Sequence, residues 1–468
     1  MLLLVFFICC VFFYLKYRQQ NDISLITTDK EDILNNKVAV IKNVDIKNVQ
    51  EIKVSVCADK ACKLEYAVKK EEIKEQEANT ISIPIYYLVA DKVSNININI
   101  KLKNNKSINK KIKTVVDVKN NTSIKYYDSI PDIIVKKISK ENADVIYSIV
   151  FLVCKEKEHI CAFFINFDIY GNIRSFICRS KEDTPSDLGE YIYDIEMAKM
   201  KIKSNVEIEL EKSILKIYKK DIDDSDIFIL EIDKNTNQII KSLNLKKILG
   251  LNYDGDWLHP NSLVYDKKDD TIILSSRNLG EGSVIKIDRD GNVIYILADP
   301  KYFLNKETKH LEKYLLKPVI DNDNENFEWS YRQHSIICLS NENIVLFDNG
   351  CFPDTEIREM YSRAVIYKIN EKNMTIEQVW QYGKELGKKF YSIAHGNVLF
   401  DYNNKSVLIN SPFIILSHEE KQTVSNIREV NITTNELLFD VYIKAKNLYF
   451  KGKEDYYDYV LDINKVYV

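Results

Sequence analysis

No glycine occurs in the first 170 residues of this 468-residue chain; all 12 lie beyond them. Glycine supplies the positive-φ corners of tight turns, so the first third must turn its strands by other means. A domain boundary is therefore expected between Lys110 and Asp128, separating 22–120 from 121–468. Neither sign of charge is in excess: 66 Lys and Arg stand against 69 Asp and Glu, a formal net charge of −3, which gives no reason to expect nucleic acid as a partner. The phosphate-cradling patterns G-x-x-x-x-G-K-[ST] and G-x-G-x-x-G are both missing, so no nucleotide is expected and no cofactor is called for. Histidine is scarce, six in all.

Long apolar runs are missing except at the start. Met1 to Leu15 is almost wholly apolar and is followed by Lys16, Tyr17 and Arg18. As a helix it would span roughly 22 Å, short of the ~30 Å hydrocarbon core of a bilayer. It suits the h-region of a signal or a short membrane anchor. No basic residue precedes it and no A-x-A site follows, which leaves both a cleaved signal and an uncleaved anchor open. F-F-I before Cys9 is a poor lipoprotein box. Lys16 and Arg18 by themselves would hold their flank in the cytoplasm; the apolar run is given more weight. A periplasmic or other extracytoplasmic location is expected, with 1–21 as the signal or anchor segment and the only contact with a membrane. The nine cysteines include two close pairs, Cys57 with Cys62 and Cys154 with Cys161. In an exported protein these read as disulfides; a metal would need more ligands than either pair offers, and His159 is only one.

What is present is alternation. V-A-V-I (38–41), I-K-V-S-V (52–56), I-S-I-P-I-Y-Y-L-V (81–89) and I-N-I-N-I-K-L (96–102) carry the period of half-buried strands, which predicts a small N-terminal β-sandwich. From about residue 129 a looser unit recurs, an apolar strand, an Asp or Asn turn and a second apolar strand: F-D-I-Y-G-N-I (167–173), E-I-D-K-N-T-N-Q-I-I (231–240), K-I-D-R-D-G-N-V-I (286–294), K-I-N-E-K-N-M-T-I (368–376) and V-N-I-T-T-N-E-L-L (430–438). Asx-type turns close hairpins, and the spacing fits one four-stranded blade per unit. The expected class is all-β, a six-bladed β-propeller whose last blade joins 460–468 to 149–153; an array of ordinary two-sheet sandwiches is the alternative. The stretch from Tyr302 to Glu328 interrupts the pattern and reads as a partly helical insertion.

Between Asp254 and Arg363 four polar motifs sit at the edges of apolar runs, where side chains leave the core for a cavity. They are D-G-D-W-L-H-P-N-S (254–262), W-S-Y-R-Q-H-S (329–335), F-D-N-G (347–350) and Y-S-R-A-V (361–365). Pro260 predicts an extended backbone at His259. Taken singly, His259 and His334 read as structural histidines at strand entries, Asn349 as a turn residue and Arg363 as one half of a surface ion pair. The aspartates at 254–256 and 288–290 read as turn residues rather than calcium ligands, and His159 and His310 as surface residues.

Together these motifs, with I-I-L-S-S-R (272–277), L-A-D-P (297–300), E-Q-V-W-Q-Y-G-K-E (377–385) and F-Y-S (390–392), resemble the bacterial arylsulfate sulfotransferase family. Its members move a sulfuryl group from a phenolic sulfate ester to a phenol without a nucleotide. The resemblance implies His259 and His334 as partners of the sulfate and phenol oxygens, Arg363 as a fixed cation and Asn349 as a hydrogen-bond donor. It also implies a later histidine as covalent acceptor in a ping-pong transfer, either His395 in S-I-A-H-G-N or His418 in L-S-H-E-E. The glutamates after His418 would favour its cation over a neutral nucleophile, and His395 is preferred. No metal is implied, and a homodimer is left open. The rival readings are a non-catalytic propeller that binds a partner and a family member without activity.

Overall fold

The computed structural model describes residues 23–28, 37–59, 62–116, 130–139, 145–155, 158–180, 207–219, 226–319, 327–339, 342–351, 360–417, 422–444 and 456–467. The opening apolar segment and His418 lie outside them. So do the side chains of Cys62, Cys154, His159 and Cys161, and with them the expected disulfides. Among the described residues no helix is long and apolar enough to cross a membrane.

The strands between residues 23 and 115 form two four-stranded sheets. One runs in the order Ile23–Thr27, Lys37–Lys42, Thr80–Ile85, Lys74–Glu77, the other Cys62–Ala67, Val49–Asp59, Val93–Leu102, Ser107–Val115. Alternation sets the inner faces: Ile96, Ile98 and Ile100 are buried with Ile52, Val54 and Val56 from the neighbouring strand and Ala39, Ile41, Ile81 and Ile83 from the other sheet. Each such side chain stabilises the fold by about 2 kcal/mol. The same core runs on into Tyr147, Ile149, Phe163 and Phe167. At this junction Arg174, fully buried, pairs with Asp168 and donates to the Tyr87 carbonyl at 3.0 Å.

Beyond residue 130 the described residues form five antiparallel meanders. In sequence order their strands are Val145–Lys155, Glu158–Asp168, Ile173–Ser180 (first sheet); Glu207–Glu209, Ser213–Lys219, Ile227–Asp233, Ile239–Asn244 (second); Pro260–Asp266, Thr271–Ser276, Ser283–Asp288, Val293–Leu297 (third); His334–Cys338, Asn343–Asp348, Arg363–Asn370, Thr375–Tyr382 (fourth); and Asn397–Asp401, Ser406–Ser417, Gln422–Asn431, Leu437–Lys444 (fifth). The first sheet is completed by Tyr456–Tyr467, with Ile463 opposite Ile149, the pairing of 460–468 with 149–153 expected from the two ends of the repeat. Asp132–Ile138 adds a strand to the outer edge of the fifth sheet.

Each of the five repeated turns closes a different sheet, joining its last two strands. In the third sheet the Asp288 carboxylate accepts from the backbone N–H groups of Asp290 and Asn292, both at 2.8 Å. Asp168, Asp233 and Asn431 do the same in their own sheets. Among the described residues beyond 130 there is thus one sheet per turn, five sheets where six blades were expected. Among its described residues the insertion is helical only as two 3-10 segments, Pro300–Phe303 and Lys309–Tyr314. Asp299 starts the first of these by accepting from Lys301 N–H.

Candidate active site

The first strands of the third, fourth and fifth sheets lie side by side, and each begins at a histidine or within two residues after one. His259 precedes Pro260–Asp266, His334 opens His334–Cys338, and His395 with Gly396 precedes Asn397–Asp401. Serine hydroxyls fix the spacing between these strands. Ile336 N–H donates to Ser262 Oγ at 3.1 Å and Val398 N–H to Ser335 Oγ at 3.2 Å, while Asn261 Nδ2 reaches the Gln333 carbonyl at 2.8 Å. Each such bond contributes about 1 kcal/mol net, and together they bring the three strand starts to one rim. The backbone there is strained: φ is 45° at His259, 51° at Arg332, 52° at Ser335 and 57° at His395. Non-glycine residues hold such angles at a cost of about 1–3 kcal/mol each, a pattern that clusters at functional sites.

Asn349 ties two of the histidines together. Its Nδ2 donates to the carbonyls of Ser392 (2.9 Å) and His395 (2.8 Å), which leaves Oδ1 to face His334 Nδ1 at 2.7 Å. An amide oxygen only accepts, so the His334 proton sits on Nδ1 and the lone pair on Nε2. Burial, the adjoining His395 and the charge of Arg277 hold the His334 imidazole down at about 3. His334 is therefore neutral at physiological pH, with its Nε2 lone pair available for proton transfer or attack and its ring centre 5.9 Å from that of His395. Gly396 is needed beside it: at φ 109° a Cβ would lie 2.3 Å from the Phe347 ring.

The proline rule fails at His259, which is left-handed rather than extended. The carbonyls of Leu258 and His259 accept from the N–H groups of Asn278 and Arg277, and Asn278 Nδ2 holds the Asp256 carbonyl at 2.6 Å. This long-range zipper overrides the local preference. The half-exposed His259 ring is paired through Nδ1 with the Asp256 carboxylate.

Arg363 does not fit the role of a fixed cation facing a sulfuryl group. It is fully buried, and its guanidinium is engaged by Asp348 Oδ2 (2.9 Å), Glu328 Oε2 (3.0 Å), Gln381 Oε1 (2.6 Å) and the Glu328 carbonyl (3.1 Å). Asp348 in turn accepts from Tyr331 N–H and Gly350 N–H, both at 2.9 Å. Arg363 thus positions the D-N-G turn that carries Asn349. Its neighbour Ser362 donates to the Asn349 carbonyl and accepts from Ser392 N–H, both at 2.9 Å. Segments 329–335, 347–350, 361–365, 377–385 and 390–392 therefore meet in one knot beside the His334 and His395 pair.

Other predicted residues fall elsewhere. His310 is an exposed residue whose Nε2 bonds to the Leu249 carbonyl at 2.8 Å. Four residues near the rim were not singled out from the sequence: Arg277, Arg332, Cys351 and Tyr391. Cys351 Sγ lies 3.3 Å from Tyr391 Oη, and burial pushes both groups up. The signal for Arg277 was available, since it ends the I-I-L-S-S-R segment.

The arylsulfotransferase (ASST) family profile matches residues 209–456, more than half of the chain and all of the sheets that carry the rim. The chain belongs to this family. Among curated proteins, the arylsulfate sulfotransferase AssT of Escherichia coli O6:H1 (strain CFT073) is 36% identical over 209 residues, 41% of this chain and 34% of that protein. AssT of Lelliottia amnigena is 34% identical over 209 residues with the same coverage. The aligned part thus spans about a third of the length of these relatives. Solved structures align loosely: a Mycobacterium tuberculosis puromycin-hydrolysing peptidase covers 92% of this chain and 54% of its own at 7% identity and a TM-score of 0.28. A Pseudomonas aeruginosa periplasmic gluconolactonase covers 88% and 100% at 6% identity and a TM-score of 0.26.

Proposed function

We propose that this chain transfers a sulfuryl group from a phenolic sulfate ester to a phenol by a ping-pong route through a histidine. The observation that carries the reading is the His334, Asn349 and His395 arrangement, in which one amide fixes a neutral imidazole with a free Nε2 next to a second histidine. Family membership supplies the reaction class. In the first step an imidazole nitrogen of His395 attacks sulfur with its lone pair, the bond from sulfur to the aryl oxygen breaks, and the phenoxide takes the N–H proton of the resulting N-sulfuryl imidazolium. In the second step the acceptor phenol oxygen attacks sulfur, the nitrogen–sulfur bond breaks, and His334 Nε2 takes the phenol proton and passes it to the released His395 imidazole. His259, oriented by Asp256, binds sulfate or phenol oxygen at the open side. Arg363 acts through Asn349 as a positioning residue.

The five meanders, with neighbouring first strands facing one another, support blades of a propeller preceded by a β-sandwich, with the division near residue 120. Donor and acceptor would enter where the first strands begin. The opening apolar segment supports an extracytoplasmic site of action.

The test is release of nitrophenol from 4-nitrophenyl sulfate by the purified chain. Release that needs an added phenol, with the sulfated acceptor recovered, supports transfer. Equal release without acceptor identifies a sulfatase, and no release in either case leaves the binding-module reading.

A further inference from the structure

Among the arginines whose side chains are described, all but one are tied to a carboxylate. Arg174 pairs with Asp168, Arg289 with Glu231, Arg332 with Glu281, Arg363 with Asp348 and Glu328, and Arg428 with Asp440. Arg277 forms no ion pair among the described residues, and its Nε is buried without a hydrogen-bond partner. A buried charged donor left unpaired costs more than the ~1–3 kcal/mol of a neutral one. A fold keeps such a group where an arriving anion offsets the cost.

The place of Arg277 matches that demand. It ends the second strand of the third sheet, and its N–H bonds to the His259 carbonyl at 3.1 Å, so it is clamped beside that histidine. Ser276, just before it, donates to the Leu258 carbonyl and accepts from Leu279 N–H at 3.1 Å, which fixes the corner from the other side. Its charge reaches both His334 and Cys351, lowering the proton affinity of each. Arg277 therefore stands between the His259 side of the rim and the knot under His334. The other rim cation, Arg332, is neutralised by Glu281, with Nη2 2.8 Å from Oε2.

We infer that Arg277 is the cation that receives the oxygens of the ester group, and that this single uncompensated charge selects monoanionic sulfate esters over dianionic phosphate esters. The inference deepens the transferase reading and rests on it for the identity of the ester. A planar guanidinium presents paired N–H donors to a tetrahedral oxyanion. A second negative charge on the ligand would find no second unpaired arginine among the described residues. Like-sized anions are then separated by charge rather than by shape.

The experiment measures binding of 4-nitrophenyl sulfate and 4-nitrophenyl phosphate to the full chain by calorimetry, for wild type, R277Q, R277K and R289Q. Wild type and R289Q, which loses a carboxylate-paired arginine outside the rim, should bind the sulfate ester at least tenfold tighter than the phosphate ester. R277Q should lose about 30-fold or more of its sulfate-ester affinity, the range for truncating one partner of a desolvated charge pair. Its preference between the two esters should disappear. R277K, which keeps charge but not the donor fork, should fall between them. Sulfate-ester affinity in R277Q within twofold of wild type overturns the inference, as does equal binding of both esters, or of neither, by wild type. Turnover separates this from the parent reading. Binding that depends on Arg277 in a chain that never forms sulfated phenol keeps the anion site and removes the transferase, whereas full transfer by R277Q does the reverse.

Discussion

The turns that close the five meanders and the rim that carries the histidines are ends of the same sheets, held in opposite ways. At a turn, one side chain satisfies its own neighbours: Asp288 accepts from N–H groups two and four residues on, and Asn431 from groups two and three residues on. At the rim the partners are far apart in sequence. Asn349 lies 15 residues from His334 and 46 from His395, and Ser335 is 63 from Val398. A turn therefore forms as soon as its strands do and can be altered alone. The rim exists only when three sheets are in register, and a change at one point is felt by every strand start.

The largest contrast is expected from His395→Ala and His334→Ala. Each should lower transfer from 4-nitrophenyl sulfate by about 10³-fold or more, since a nucleophile or its proton partner is gone. The thermal melt of His395→Ala should stay close to wild type, whereas His334→Ala also leaves the buried Asn349 Oδ1 without its partner, a loss of about 1–3 kcal/mol. A variant that keeps activity within tenfold would remove that histidine from the chemistry. Arg363→Met should act on stability first. It leaves Asp348 buried and unpaired, a loss of about 3–5 kcal/mol in denaturant unfolding, with transfer falling as the Asn349 turn loosens. Unchanged stability would mean that Arg363 does not hold that turn.

The comparison is sharpened by pH. Unfolded, His334 takes up a proton below about 6.5; folded, it stays neutral down to about 3. The unfolded chain binds more protons in that window, so the contribution of His334 to stability is complete above pH 6.5 and is lost as the pH falls towards 3. Unfolding free energies at pH 7 and pH 5 should drop less for His334→Gln than for wild type; parallel drops would count against a buried neutral imidazole. The smallest effect belongs to the turns. Asp288→Ala should cost about 1 kcal/mol, the scale of one local side-chain cap, with transfer unchanged. A large loss of activity there would erase the distinction between the two ends.

This contrast also decides what could be read in advance. The turns were legible because Asp and Asn advertise their local bonding, and the closing strand because the repeat leaves apolar segments at its two ends, 149–153 and 460–468, to complete one sheet. His259, His334 and Asn349 were legible as motifs but not as neighbours, since the hydroxyl bridges from Ser262 and Ser335 follow from sheet packing alone. Arg363 was misread because its ligands, Asp348, Glu328 and Gln381, come from three separate segments. Arg277 was passed over although it ends the matched I-I-L-S-S-R segment, because its lack of a carboxylate partner shows only once the other described arginines have found theirs. The extended backbone predicted at His259 gave way to hydrogen bonds from residues 277 and 278, a tertiary override of a proline preference. The helical reading around 302–315 followed its apolar spacing, but only 3-10 turns formed.

The claim that the rim passes a sulfuryl group through a histidine is tested most directly by trapping it. The full chain is mixed with 4-nitrophenyl sulfate without acceptor, quenched at alkaline pH to preserve an N-sulfuryl imidazole, and mapped by peptide mass spectrometry. The account predicts one sulfuryl group on the peptide carrying His395, absent from His395→Ala and discharged by a brief pulse of phenol. A chain that transfers sulfate at full rate while its sulfuryl group maps to another residue, or to none, would contradict it.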